Sequence, residues 1–205
     1  VIMKTRPVGM PTLDNFEITE SSLPDLKHGE VLIKILWLSL DPYMRGRMST
    51  AKSYAASLNE GDVIIGGAVG KVINSNTAEY KEGDIVEGFT LGWQEYAIAT
   101  PSSIRKIDPN LAPIQTAVGV LGMPGMTAFF GLLHVGKPIP GDTVVVSAAS
   151  GAVGQLVGQI AKIAGCHVVG IAGGNKKCAF ITETLNFDAA IDYKNENIDE
   201  KLAEY

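Results

Sequence analysis

The chain has 205 residues, of which 46% are hydrophobic and 19% charged, so it can bury a real core and is not a disordered segment. At about 150 residues per domain, that length allows one large domain or two small ones. Seventeen basic against 22 acidic residues give a net charge of −5, which argues against a nucleic-acid partner held by phosphate neutralisation, and two cysteines (Cys166 and Cys178) are too few for a disulfide scaffold.

At the N-terminus, Lys4 and Arg6 are followed by Pro7, Pro11, Asp14 and Glu17 rather than by the apolar run of a signal peptide. A cytoplasmic location is therefore the expectation, and two cysteines with no obvious pairing fit a reducing compartment. The first ~110 residues read as β-rich, with many short strands and glycine turns, as in a small barrel or sandwich. Glu30 to Leu40 is branched and apolar with Lys34 as its one internal charge, and Val63 to Ile73 is a second strand with internal glycines. Met48 to Gly61 between them is polar and reads as a loop. Tyr80 to Asp84 is a turn signal before the short run Ile85 to Phe89, and Trp93 to Ala99 alternates like a strand.

From Pro109 to Gly136 no Asp, Glu, Lys or Arg occurs, long enough on paper to span a bilayer. Pro113, Gln115, Pro124 and His134 interrupt it, and Met123-Pro124-Gly125 sits mid-run, so two short buried helices meeting at a turn are expected instead of a membrane span. The character changes from β to helical near residue 114. After Pro138 to Asp142, Thr143 to Ala149 reads as a buried strand, Val153 to Ala164 as a helix, and His167 to Ala172 as a strand. Asn175 to Leu185 follows as a helix and Ala189 to Tyr193 as a third strand. That β-α-β-α-β order predicts a parallel sheet with right-handed crossovers. The fold class is thus α/β plus β, with a boundary placed between residues 1–113 and 114–205.

Ala149-Ser150-Gly151-Ala152-Val153-Gly154 matches the dinucleotide turn except that Ala149 replaces the first glycine, and it lies between a strand and a helix as that turn requires. Gly151 lets a pyrophosphate approach the backbone, and Gly154 lets the helix pack on the strand. The helix N-terminus supplies free N–H groups and the positive end of a dipole. An NAD site places an acid about 20 residues further on, where it accepts from the ribose 2′-hydroxyl. Here that stretch reads Gly173-Gly174-Asn175-Lys176-Lys177, with two lysines and no acid. A carboxylate would repel a 2′-phosphate and a lysine attracts it, so NADP is preferred to NAD. The plainer reading, a solvated helix start, sets two cations against the dipole.

Taken together, AASGAVG, AGGNKKC and DYK after a β-rich region resemble the zinc-free medium-chain dehydrogenase/reductases. Leu40 to Met48 (LDPYMRGRM) and Gly122 to Ala128 (GMPGMTA) are similar to the branch of prostaglandin reductases, plant alkenal double-bond reductases and bacterial curcumin reductases, and Met44 to Tyr54 looks closest to the bacterial members. The resemblance runs over essentially the whole chain. It implies a GroES-like barrel that shapes the substrate site, followed by linking helices and the first half of a Rossmann doubly wound sheet that binds NADPH. It implies reduction of the carbon–carbon double bond of a small-molecule enone by hydride transfer to the β-carbon. Carried over by position, Ser150, Gly151, Ala152, Val153, Gly154, Gly173, Lys177 and Tyr193 would hold the phosphates and adenosine, and Met123 and Thr127 would lie beside the nicotinamide. Tyr43 and Tyr54 are the catalytic candidates at the substrate.

Members of this branch are longer. The resemblance therefore implies a fragment that lacks the second half of the Rossmann sheet and is inactive alone, and a homodimer at full length; Val1-Ile2-Met3 likewise reads as an interior strand. Zinc-dependent relatives need a Cys/His set, and no cysteine occurs before Cys166, so no metal site is expected. G-x-S-x-G is absent around Ser147 and Ser150. Cys166 and Cys178 read as packing residues. Tyr43 and Tyr54 are read equally well as barrel packing and loop cover, and Arg45 and Arg47 as partners of surface acids. The alternatives in function are a quinone reductase of the same superfamily and a non-catalytic NADPH-binding sensor.

Overall fold

A computed structural model describes residues 1–205. By backbone proximity the chain divides into two units, Val1–Val118 and Gly119–Tyr205.

In the first unit, β1 (Ile2–Met3) pairs with β2 (Phe16–Glu17), and the hydrogen bonds Ile64 N–H to Val1 O (3.0 Å) and Gly61 N–H to Met3 O (2.8 Å) tie β1 to the segment 61–64, which lies between two strands of the main sheet. The main sheet is wholly antiparallel. It runs β6 (Tyr96–Ala99), β3 (Val31–Leu38), β4 (Ala68–Ser75), β5 (Ile85–Gly88) and β7 (Arg105–Lys106), with β6 and β7 at its two ends. No strand pairing joins those ends, so the secondary structure describes an open sheet. Val31, Ile33, Val72, Val86 and Ile104 fill one core, and Met3, Met48, Leu58 and Ile64 a smaller one. Gly70 sits where strands β3 and β4 approach closely: a Cβ there would lie 2.6 Å from the Lys34 carbonyl oxygen.

Two expected strands are shorter than the apolar runs that signalled them. Residues 63–67 lie outside β4, and 93–95 outside β6. They instead bond each other, Trp93 N–H to Ile64 O at 2.8 Å, with Gly92 at φ +77 and the Met44, Leu38 and Trp93 side chains closing over Gly66. The five-residue helix α1 (Tyr43–Arg47) went unread because it is too short to show a helical period.

The second unit opens with Gly119–Gly122 as a turn, after the 3-10 segment Ile114–Val118. Helix α2 (Met123–Phe129) follows and passes into a π-helical turn, Phe130–Gly136. The bend thus falls before Met123-Pro124-Gly125, not within it. Proline is tolerated in the first helical turn, where its missing N–H has no partner to lose. Gly125 seats that turn, since a Cβ would overlap the Val120 carbonyl. This stretch is not fully buried as expected: Phe129, Phe130 and Val135 stay exposed, and no helix is long and apolar enough to cross a membrane.

Beyond it lies the expected alternation: β8 (Thr143–Val146), α3 (Gly154–Ile163), β9 (His167–Ala172), α4 (Asn175–Ala179) with a π-helical extension Phe180–Thr184, and β10 (Ala189–Asp192). The sheet is parallel, in the order β10-β9-β8. That is the 3-2-1 half of the doubly wound order. A short helix α5 (Ile198–Leu202) ends the unit, capped by the Asn197 side chain, which accepts from the amides of Asp199 and Glu200. Val146, Ala149, Val168, Ala172, Ile181 and Phe187 form the core. Helix α3 presses its Gly158 on Phe187, where a Cβ would overlap the ring.

Candidate dinucleotide-binding site

Strand β8 ends at Val146, three residues earlier than the apolar run predicts, because Ala148 turns the chain at φ +47. Such a backbone is unusual for a residue with a Cβ and marks a turn held by its surroundings. Ala149 is fully buried and donates its N–H to Ile171 O at 3.1 Å, which fixes the turn to β9. The Gly151 amide closes the turn on Ala148 O at 2.8 Å. Helix α3 then starts at Gly154 directly over Ala148: a Cβ on Gly154 would stand 2.4 Å from the Ala148 oxygen and 2.9 Å from the Ala149 Cα. Only glycine fits there. A Cβ on Gly151 would sit 3.1 Å from the same oxygen. The amides of Ser150, Ala152, Val153 and Gly154 have no acceptor in the chain. Free N–H groups at the start of a ten-residue helix form a place for an anion.

The next turn joins β9 to α4. Gly174 caps α4 at φ +94, a conformation that glycine adopts freely. Its N–H donates to the Asp192 carboxylate at 2.7 Å. Lys176 and Lys177, in the first turn of α4, are exposed and form no ion pair with any carboxylate. Tyr193 follows β10, donates its N–H to Ala172 O at 3.2 Å, and lays its ring against Gly173, where a Cβ would lie 2.8 Å from the ring atoms. The structure therefore brings Gly173 and Tyr193 together at the end of the sheet.

Asp192 is the residue that the sequence reading missed. It is 5% exposed and accepts from the Gly174 amide, the Lys194 amide (3.1 Å) and the Asn195 side chain (2.7 Å). The Gly174 amide above all, with the Asn195 and Lys194 donors, holds its carboxyl below the usual carboxylate range although burial pushes the other way. A signal was present: an Asp that bonds the amide two residues on is an Asx turn, and the chain reads Asp192-Tyr193-Lys194-Asn195.

Elsewhere in this unit, Met123 opens α2 and accepts at its carbonyl from the Thr127 hydroxyl at 2.7 Å. The Thr127 oxygen keeps its lone pairs. In the first unit, Tyr43 begins α1 and Tyr54 lies in the 48–61 loop, 92% exposed. Burial above all, with the Asp41 carboxylate, raises the Tyr43 phenol, against the Gly67 backbone and the Arg47 guanidinium, which lower it. Arg45 and Arg47 do not pair with surface acids as expected. Arg45 donates to the carbonyls of Gly9 (2.7 Å) and Pro7 (3.3 Å), and the Arg47 Nε is buried without a partner.

A family model described as the N-terminal domain of oxidoreductase matches residues 1–107. The chain belongs to this oxidoreductase family. The chain is 45% identical over 202 residues to the NADPH-dependent curcumin reductase of Escherichia coli K12, covering 98% of this chain and 58% of that one. It is 44% identical over 189 residues to prostaglandin reductase 1 of Rattus norvegicus, covering 91% and 55%. The crystal structure of CurA from Vibrio vulnificus in complex with NADPH superposes with a TM-score of 0.93 at 48% identity, over 99% of this chain and 60% of that one. The branch expected from LDPYMRGRM and GMPGMTA is thus the branch found. The chain spans little more than half the length of these relatives. Quinone oxidoreductase structures at 20–21% identity share the fold, with TM-scores of 0.69–0.71.

Proposed function

We propose that this oxidoreductase uses NADPH to reduce the carbon–carbon double bond of α,β-unsaturated ketones and aldehydes. The observation that carries the reading is the turn after β9: where an NAD site needs an outward carboxylate, the chain offers two unpaired ammonium groups. In this reading Gly151, Ala152, Val153 and Gly154 receive the pyrophosphate together with Ser150. Lys177 meets the 2′-phosphate, Tyr193 and Gly173 bound the adenosine end, and Met123 and Thr127 stand on the nicotinamide side. When bound, NADPH supplies a hydride to the substrate's β-carbon. The chain's own part is to position and polarise. Tyr43 and Tyr54, whose phenolic O–H groups can donate, are donors for the carbonyl oxygen as it gains negative charge. The substrate class follows the relatives' names, among them the NADP-dependent 2-alkenal reductase of Nicotiana tabacum at 45% identity. A GroES-like first domain, residues 1–113, a Rossmann second domain from 114, a homodimer and a cytoplasmic location belong to the same proposal.

The test is NADPH and NADH oxidation by the product of the complete reading frame, with curcumin or a 2-alkenal as acceptor. Enone-dependent oxidation that prefers NADPH is the expected result. NADPH binding with no acceptor-dependent oxidation points instead to a sensor, and turnover of quinones alone to a quinone reductase.

A further inference from the structure

The turn that would read the 2′-phosphate cannot hold its own shape. Gly173 and Gly174 have no side chains, and Gly174 stands at φ +94. Without support, such a pair samples many conformations. What fixes it comes from the neighbouring strand. Asp192, at the end of β10, accepts the Gly174 N–H at 2.7 Å, and its other bonds reach forward to the Lys194 amide and the Asn195 side chain. One carboxylate thus ties the start of α4, which carries Lys177, to the turn that carries Tyr193. Between its own two anchors Tyr193 is pinned again, by its amide to Ala172 O at 3.2 Å.

The same bonds settle a charge problem. Asp192 is an acid near the end of β9, where a carboxylate selects NAD and repels a 2′-phosphate. Three N–H donors use three of the about four lone-pair positions that a carboxylate offers. The group is also buried, so it faces the backbone and not a ribose. Resting on the NADPH reading above, we propose that Asp192 is a positioning residue for cofactor choice. Its inward carboxylate holds the Gly173-Gly174 turn, Tyr193 and the first turn of α4 in the arrangement that accepts a 2′-phosphate.

The experiment uses the full-length protein and titration calorimetry with NADPH, NADH, 2′-AMP and 5′-AMP, alongside kcat at saturating NADPH. Asp192→Ala is expected to weaken NADPH and 2′-AMP about tenfold, equivalent to about 1.4 kcal/mol. NADH, 5′-AMP and kcat are expected to stay within twofold of wild type. Asp192→Asn keeps an oxygen for the Gly174 amide and should recover most of the loss. If Asp192→Ala does not fold, Asn195→Ala serves: it removes one of the three donors that hold the Asp192 carboxylate inward and should give a smaller loss with the same selectivity for the 2′-phosphate ligands. Equal weakening of NADPH and NADH, or an unchanged ratio between them, overturns the proposal while the cofactor reading stands. A wild-type protein with no preference for NADPH over NADH overturns both.

Discussion

Single atoms decide the turn before α3. A Cβ at position 154 would stand 2.4 Å from the Ala148 carbonyl oxygen, which belongs to a turn already held at a positive φ. The backbone there cannot retreat, because the Ala149 amide is bonded to Ile171. Gly154→Val is therefore expected to destabilise the second unit by about 1–3 kcal/mol, the usual cost of overpacking. It should also abolish NADPH binding, because the helix start must move. Calorimetric titration and urea denaturation check the two effects. NADPH binding at wild-type affinity would show that the close approach is dispensable. The glycines at 151 and 154 were legible in the sequence because their motif is local. At Asp192 only the local Asx turn was legible; its bond to Gly174, a residue of the preceding turn, was not, because only pairing of β10 with β9 brings the two together.

At the scale of elements, one acid in the loop before β10 ties α3 to β9. Asp188, between α4's extension and β10, accepts from Lys162 on α3 at 2.6 Å and from the Val168 amide of β9 at 2.6 Å, and lies 3.6 Å from His167. Burial pushes its carboxyl up, but the Lys162 ammonium and the Val168 amide together outweigh burial and hold it below its ordinary value. The unfolded chain then binds more protons than the folded one through that window, so stability rises with pH there. The contribution is complete above the unfolded pKa of about 3.9 and is lost as pH falls through the lower folded value. Asp188→Asn should lower stability at neutral pH and flatten the acid limb of the stability–pH curve. Denaturation midpoints between pH 2 and 7 measure both, and a variant with the wild-type acid slope would remove Asp188 from the account. The strands β9 and β10 were readable from their branched apolar runs. The α4 extension became π-helical where the sequence pattern expects a continuous α-helix, since a 100° period does not distinguish the two over so few residues.

At the scale of the molecule, each unit closes its own core, and both tryptophans, Trp37 and Trp93, lie in the first. Trp93 stacks on Phe16 with centroids 6.1 Å apart. Tryptophan fluorescence therefore reports the first unit, while far-ultraviolet circular dichroism is weighted toward the helices of the second. Gly158→Val drives a side chain into Phe187 in the second core. It is expected to lower the urea midpoint seen by dichroism and to leave the fluorescence midpoint in place. Movement of both midpoints together would mean that the two cores unfold as one.

The alternation of strands and helices in the second unit, the glycine turn before α3, the lysine pair after β9 and the family were readable from the residues alone. All of these are written in contiguous residues, where hydrophobic period, turn chemistry and motif spacing act. Tertiary structure alone decided where β4, β6 and β8 begin or end, because close packing around Gly66 and Ala148 overrides an apolar run. It alone supplied the order β10-β9-β8, which no local pattern encodes, and with it the meeting of Asp192 and Gly174 across two strands. Contacts between residues distant in sequence depend on which strands become neighbours, and that is settled by burial of the whole sheet.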